Sequence, residues 1–190
     1  MRLFVALDIG NAIQQRLDEY VQSLQPRVSG VRFVGRNTYH VTLKFLGEVQ
    51  QVEAVRQGLR TVHAPAFQVA FGGVGFFPNE RAPRVFWAGV RAPAVPSLVH
   101  AIDQALAALG FPPESNVQPH LTLARNGSGR PRSLRGERPP EGFAQLSRIV
   151  ASGPAPEFGT MTAREFILDE SRLSPSGPSY YKLEGFELAR

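Results

Sequence analysis

The residues best equipped for chemistry come as a repeated pair: His40-Val41-Thr42-Leu43 returns as His120-Leu121-Thr122-Leu123. Two of the four histidines in the chain therefore share one local setting. Histidine is the side chain whose unperturbed pKa lets it give and take protons near neutral pH, so two facing imidazoles can form an acid and base pair. Threonine hydroxyls two residues on can hydrogen-bond the non-bridging oxygens of a bound group, and four polar groups around one point suit a tetrahedral oxyanion such as phosphate. No serine or cysteine sits in a nucleophile elbow or triad motif, which favours phosphoryl transfer without a metal over acyl transfer. A metal site would want a third or fourth ligand, and His63 and His100 fall in or beside helical patterns with no matching carboxylate spacing. No glycine loop of the nucleoside-triphosphate or dinucleotide type is present, so neither a metal nor another cofactor is expected.

Strands must position these groups. Residues 39–46 are rich in β-branched, aromatic and aliphatic side chains and stop at Gly47; residues 121–125 are similar and stop at Asn126-Gly127. Alternation puts His and Thr of each copy on one side and Val41 with Leu43, or Leu121 with Leu123, on the other. The repeat extends beyond the motif: Arg2-Leu3-Phe4-Val5-Ala6 begins 38 residues before His40, and Arg84-Val85-Phe86-Trp87-Ala88 begins 36 before His120. Each half thus reads as strand, helix, strand bearing His and Thr. A single domain over 1–190 is expected, its duplicated halves roughly 1–80 and 81–190 forming two pseudo-symmetric lobes with their His/Thr faces opposed across a cleft.

The remaining elements follow from periodicity. One amphipathic helix carries Ile13, Leu17, Tyr20 and Leu24, a second Val52, Val55, Leu59 and Val62, and a third Leu98, Ile102, Ala105, Leu106 and Leu109. Residues 31–34 read as a short extended piece, 67–71 as a strand and 72–78 as a glycine-rich loop. Residues 126–142 turn to Gly, Pro, Ser and Arg and read as a loop, either a clamp for a nucleic-acid backbone or a solvated insertion. Residues 162–173 and 180–188 alternate as two strands around Ser174-Pro175-Ser176-Gly177-Pro178, a hairpin that completes one sheet.

With 43% apolar residues and no cysteine, the chain is globular and has neither a disulfide framework nor a thiolate metal site. Its start lacks a signal-like cleavage region and no apolar run is long enough to span a bilayer, so a soluble cytoplasmic protein with no membrane partner is expected, as a monomer. A net charge of +5, carried almost wholly by arginine because Lys44 and Lys182 are the only lysines, fits either a polyanionic partner such as RNA or a solvated basic surface.

The paired motifs, with 2–7, 40–47, 83–85, 119–125 and 170–175, resemble the 2H phosphoesterase superfamily, and in particular its bacterial and archaeal RNA 2′,3′-cyclic phosphodiesterases, historically named 2′-5′ RNA ligases. The resemblance implies an α+β fold, bilobal, with two antiparallel sheets lining a central cleft. It implies hydrolysis of a terminal 2′,3′-cyclic phosphate on RNA, tRNA fragments among the candidates, to a 2′-phosphate. His120 would be the base that activates water, His40 the acid that protonates the departing oxygen, and Thr42 and Thr122 would hold the phosphate. Arg125 matches the basic residue that follows the second motif, although five residues after His120 its parity points it with the core set, so a bulge must turn it inward. By the same parity Phe45 is expected in the core. Lys44 is expected on the His40 face, either as a contact for the RNA backbone or as a solvated strand end. Ligation of RNA halves, or end-binding without catalysis, are the alternatives.

Overall fold

The computed structural model describes residues 1–79, 83–126, 141–175 and 177–189. In chain order its elements are β1 (Arg2–Asp8), α1 (Asn11–Leu24), β2 (Val31–Phe33), β3 (His40–Glu48), α2 (Val52–Arg60), β4 (Phe67–Phe77), β5 (Val85–Arg91), α3 (Val95–Leu106), β6 (His120–Asn126), α4 (Glu141–Ala151), β7 (Glu157–Ala163), β8 (Glu165–Ser174) and β9 (Gly177–Glu187). The strands form two antiparallel sheets, ordered β3-β1-β8-β9 and β2-β6-β5-β4-β7. The fold is α+β, and each motif strand lies beside the strand that opens its own repeat: β3 on β1, β6 on β5.

The halves are interleaved. β2 and β4 join the sheet built on β5 and β6, while the β8–β9 hairpin pairs with β1. The helices cross over as well: α1 packs against β7 of the second sheet, with Tyr20 edge-on to Phe158, and α3 packs against β3 of the first and against α2. Apolar faces decide this arrangement. Ile13, Leu17, Val21 and Leu24 on α1, and Leu98, Val99, Ile102 and Leu106 on α3, are all buried in one core shared with Leu3, Val5, Leu7, Val41 and Leu43 of the first sheet and Phe71, Phe86, Leu121 and Leu123 of the second. Each such side chain contributes roughly 1.5–3 kcal/mol by leaving water.

Three expectations are corrected. The glycine-rich segment 72–78 is mostly strand, because β4 runs through it to Phe77 with a register break after Phe71. Glycine serves close approach there: a Cβ on Gly75 would run into the Trp87 indole of the neighbouring strand. Residues 162–173 are two strands broken at Arg164, not one, so that β7 joins the second sheet and β8 the first. The helix α4, which buries Phe143 and Leu146 and sets Phe143 edge-on to Phe76, begins at Glu141, inside the stretch read as loop; residues 127–140 of that stretch lie outside the described residues. Among the described residues no helix is long and apolar enough to cross a membrane.

Candidate active site

Both motif strands break their alternation at the same place. Val5 stands opposite Lys44 and Ala6 opposite Thr42, leaving Leu43 as an extra residue in β3. Phe86 stands opposite Ala124 and Trp87 opposite Thr122, leaving Leu123 extra in β6. A one-residue bulge reverses the parity of the residues beyond it. Leu43 and Lys44 are therefore both buried, as are Leu123 and Ala124, and the fifth residue after each histidine returns to the histidine face. That residue is Phe45 in the first copy and Arg125 in the second.

The bulges decide three placements. Arg125 is brought to the face of His120 and Thr122, and its Nη2 donates to Thr122 Oγ1 at 3.5 Å. Phe45, expected in the core, is 67% exposed on the His40 face beside Phe4. Lys44, expected on that face, is corrected the other way: it is 2% exposed and points into the core. There its Nζ donates to Asp103 Oδ1 and to the carbonyl of Pro112, each at 2.6 Å.

The two histidines are oriented by the same device. His40 Nδ1 lies 2.8 Å from the carbonyl oxygen of Thr38, and His120 Nδ1 lies 2.8 Å from that of Gln118. A carbonyl can only accept, so Nδ1 of each ring carries the proton and Nε2 is left for a ligand. His40 Nε2 is 3.1 Å from Thr42 Oγ1, whose hydroxyl donates to it when the ring is neutral.

The surroundings of the two rings differ. His40 lies against Phe4, centroids 4.8 Å apart, and meets Tyr180 edge-on at 4.9 Å, whereas His120 meets Phe77 edge-on at 4.9 Å. Burial pushes the His40 pKa below the usual histidine value; the Thr38 carbonyl opposes this, the positive charge of Arg125 and of His120 adds to it, and Asp8 opposes it. Groups on both sheets thus act on one imidazole. Burial likewise raises Tyr180, against Arg125 and Arg2, which lower it. Phe4, Tyr180 and Phe77 were missed from sequence, although Phe4 stands two residues from Arg2 and two from Ala6, on the face of β1 that does not join the main core.

Two surface depressions, one around Thr61, His63 and Gln104 and one around His63, Glu187 and Ala189, share no residue with the paired-histidine face. Among the described residues no three His, Asp or Glu side chains gather as metal ligands.

The family model described as LigT like Phosphoesterase matches residues 7–87 and 91–180. The chain belongs to this family of hydrolases, the LigT-like phosphoesterases of the 2H class. It is 34% identical over 190 residues to the RNA 2′,3′-cyclic phosphodiesterase of Archaeoglobus fulgidus, covering 98% of this chain and 100% of that protein. It is 31% identical over 194 residues to the protein of the same name from Methanothermobacter thermautotrophicus, covering 99% of each. Among solved structures, TT0787 of Thermus thermophilus superposes with a TM-score of 0.77 at 28% identity, over 98% of this chain and 97% of that one. The apo form of E. coli LigT shares the fold, with a TM-score of 0.73 at 23% identity over 100% of this chain and 98% of that one.

Proposed function

We propose that this protein hydrolyses the terminal 2′,3′-cyclic phosphate of an RNA to a 2′-phosphate by general acid–base catalysis. One observation carries the reading: two imidazoles on different sheets each have Nδ1 held by the carbonyl two residues before it, which leaves Nε2 for chemistry, and the charge of His120 reaches His40. The names borne by the relatives from A. fulgidus and M. thermautotrophicus support the substrate.

His120 Nε2 takes a proton from water as the water oxygen bonds to phosphorus. The bond from phosphorus to O3′ breaks, and the proton on His40 Nε2 passes to O3′. Thr42, Thr122 and Arg125 donate to the non-bridging oxygens, where charge builds in the transition state. Phe45, exposed beside His40, offers its ring to the terminal base. His40 must begin protonated, yet burial and its cationic neighbours disfavour the proton in the empty site. The anionic phosphate acts in the opposite direction, so the acid forms as substrate binds. With a ribose 5′-hydroxyl in place of water the same roles would join two RNA ends, His120 taking the hydroxyl proton and His40 protonating O3′; the two histidines exchange roles only when that joining runs backwards.

The test is an RNA ending in a 2′,3′-cyclic phosphate, incubated in excess chelator with the protein and with His40→Ala and His120→Ala, resolving the phosphate position of the product. Conversion to a 2′-phosphate is expected, reduced by more than ~10²-fold in each variant. Conversion that survives both substitutions, or that chelator abolishes, overturns the mechanism. Folded protein that binds the RNA without turnover makes the face a binding site only, and a 2′-5′ linked product makes it a ligase.

A further inference from the structure

We propose that Arg32 forms a second anion subsite beside the catalytic face, binding the phosphodiester on the 5′ side of the terminal nucleotide of an RNA chain. The proposal rests on the reading of the site as one for RNA ends and extends it by one nucleotide.

Arg32 of β2 stands directly opposite Arg125 of β6 in the antiparallel ladder, so both side chains leave the same face of the second sheet. Like charges directly opposite are destabilising, and β2 is only three residues long, so this pair sits where the sheet has little to hold it. Four other arginines are compensated: Arg56 and Arg60 meet Glu184, Arg91 meets Glu157 and Arg172 meets Glu170. Among the described residues neither Arg32 nor Arg125 has a carboxylate within 4.0 Å. Two arginines on one face of the sheet with no counter-charge among the described residues are suited to binding anions.

The two groups diverge. Arg125 turns along its own strand to Thr122, whereas Arg32 reaches across to the other sheet, its Nη2 lying 2.9 Å from the point where a Cβ on Gly177 would stand. Gly177, at φ +123°, opens β9 and leaves that space free. One guanidinium therefore serves the reacting phosphate, and the other lies where the β8–β9 hairpin meets the second sheet. A chain whose terminal phosphate is held at Thr42, Thr122 and Arg125 offers its next phosphate to Arg32; a single nucleoside 2′,3′-cyclic phosphate offers none.

The experiment compares kcat/KM on a nucleoside 2′,3′-cyclic phosphate that lacks a 5′-phosphate with kcat/KM on a trinucleotide ending in the same group, for the protein, Arg32→Ala and Arg32→Lys. Arg32→Ala is expected to lose about tenfold or more on the trinucleotide, as for a charge-assisted hydrogen bond, and to stay within about twofold on the nucleoside, with Arg32→Lys recovering part of the loss. Equal loss on both substrates, or loss on neither, overturns the subsite. If the unsubstituted protein turns over neither substrate, the catalytic reading fails, and the subsite is judged by binding of a trinucleotide with a terminal 2′-phosphate across salt concentrations. The slope of log K against log salt is then expected to fall by about 0.7 in Arg32→Ala, as for one phosphate of a single strand; an unchanged slope overturns the subsite.

Discussion

His40 and His120 hold their Nδ1 protons in the same way, and what surrounds His40 makes it more acidic than an ordinary histidine. His40 is flanked by Phe4 and Tyr180 and feels the charge of Arg125, so its proton is held less tightly than an ordinary histidine's. Followed by NMR in the ligand-free protein, the His40 ring should titrate below about 6.5, and Arg125→Gln should move the midpoint up, because it removes a cation that lowers it. A midpoint at or above the ordinary value, or one indifferent to Arg125, would sink this account. The linkage has a definite sign: a pKa depressed on folding contributes stability that is present above the unfolded value and lost as pH falls through the folded one. At this scale the sequence was informative for the four motif residues, because chemistry repeated at matching spacing is visible in a string of letters. It misdirected Phe45 and Lys44, since each bulge is a matter of register against a neighbouring strand that the string does not contain.

At the scale of elements, Lys44 ties three pieces together. Its ammonium joins β3 to Asp103 of α3 and to the Pro112 carbonyl, while the other Asp103 oxygen accepts the Glu114 backbone N–H at 3.0 Å. Those contacts anchor the segment that leads into β6 and His120. A lone charge left in the core is costly, so Lys44→Met should lose roughly 3–5 kcal/mol in urea unfolding, and Lys44→Met with Asp103→Leu should recover most of it, because a well-packed apolar pair replaces a buried ion pair at little cost. A loss below about 1 kcal/mol in the single variant would mean that the pair is not holding the fold as described. Helices with a clear apolar stripe were legible from sequence. The run of β4 through Gly72, Gly73 and Gly75 was not, because those glycines read as turn formers until Trp87 is seen lying over one of them.

At the scale of the molecule, the duplication seeds the sheets without dividing the chain. A fragment of residues 1–80 would keep β1 with β3 but lose β8 from β1, β6 from β2, and both β5 and β7 from β4. Its α1 would lose the β7 surface. It is expected to show no cooperative thermal transition by circular dichroism, whereas a sharp transition of its own would mean that the halves are independent folding units. Sequence spacing carried the two His-x-Thr strands; the exchange of strands and helices between the halves depends on which apolar faces meet, which spacing does not encode. A perfect repeat would have a further property: a ligand turned end for end would meet the same groups and could react in either orientation. Divergence at one pair of equivalent positions, Phe45 and Arg125, removes that degeneracy, because a flat ring and a tetrahedral anion cannot trade places between an aromatic edge and a guanidinium. In the proposed reaction, regiochemistry, the choice between two ribose oxygens on neighbouring carbons, would thereby be written where the two halves of the chain stopped being copies.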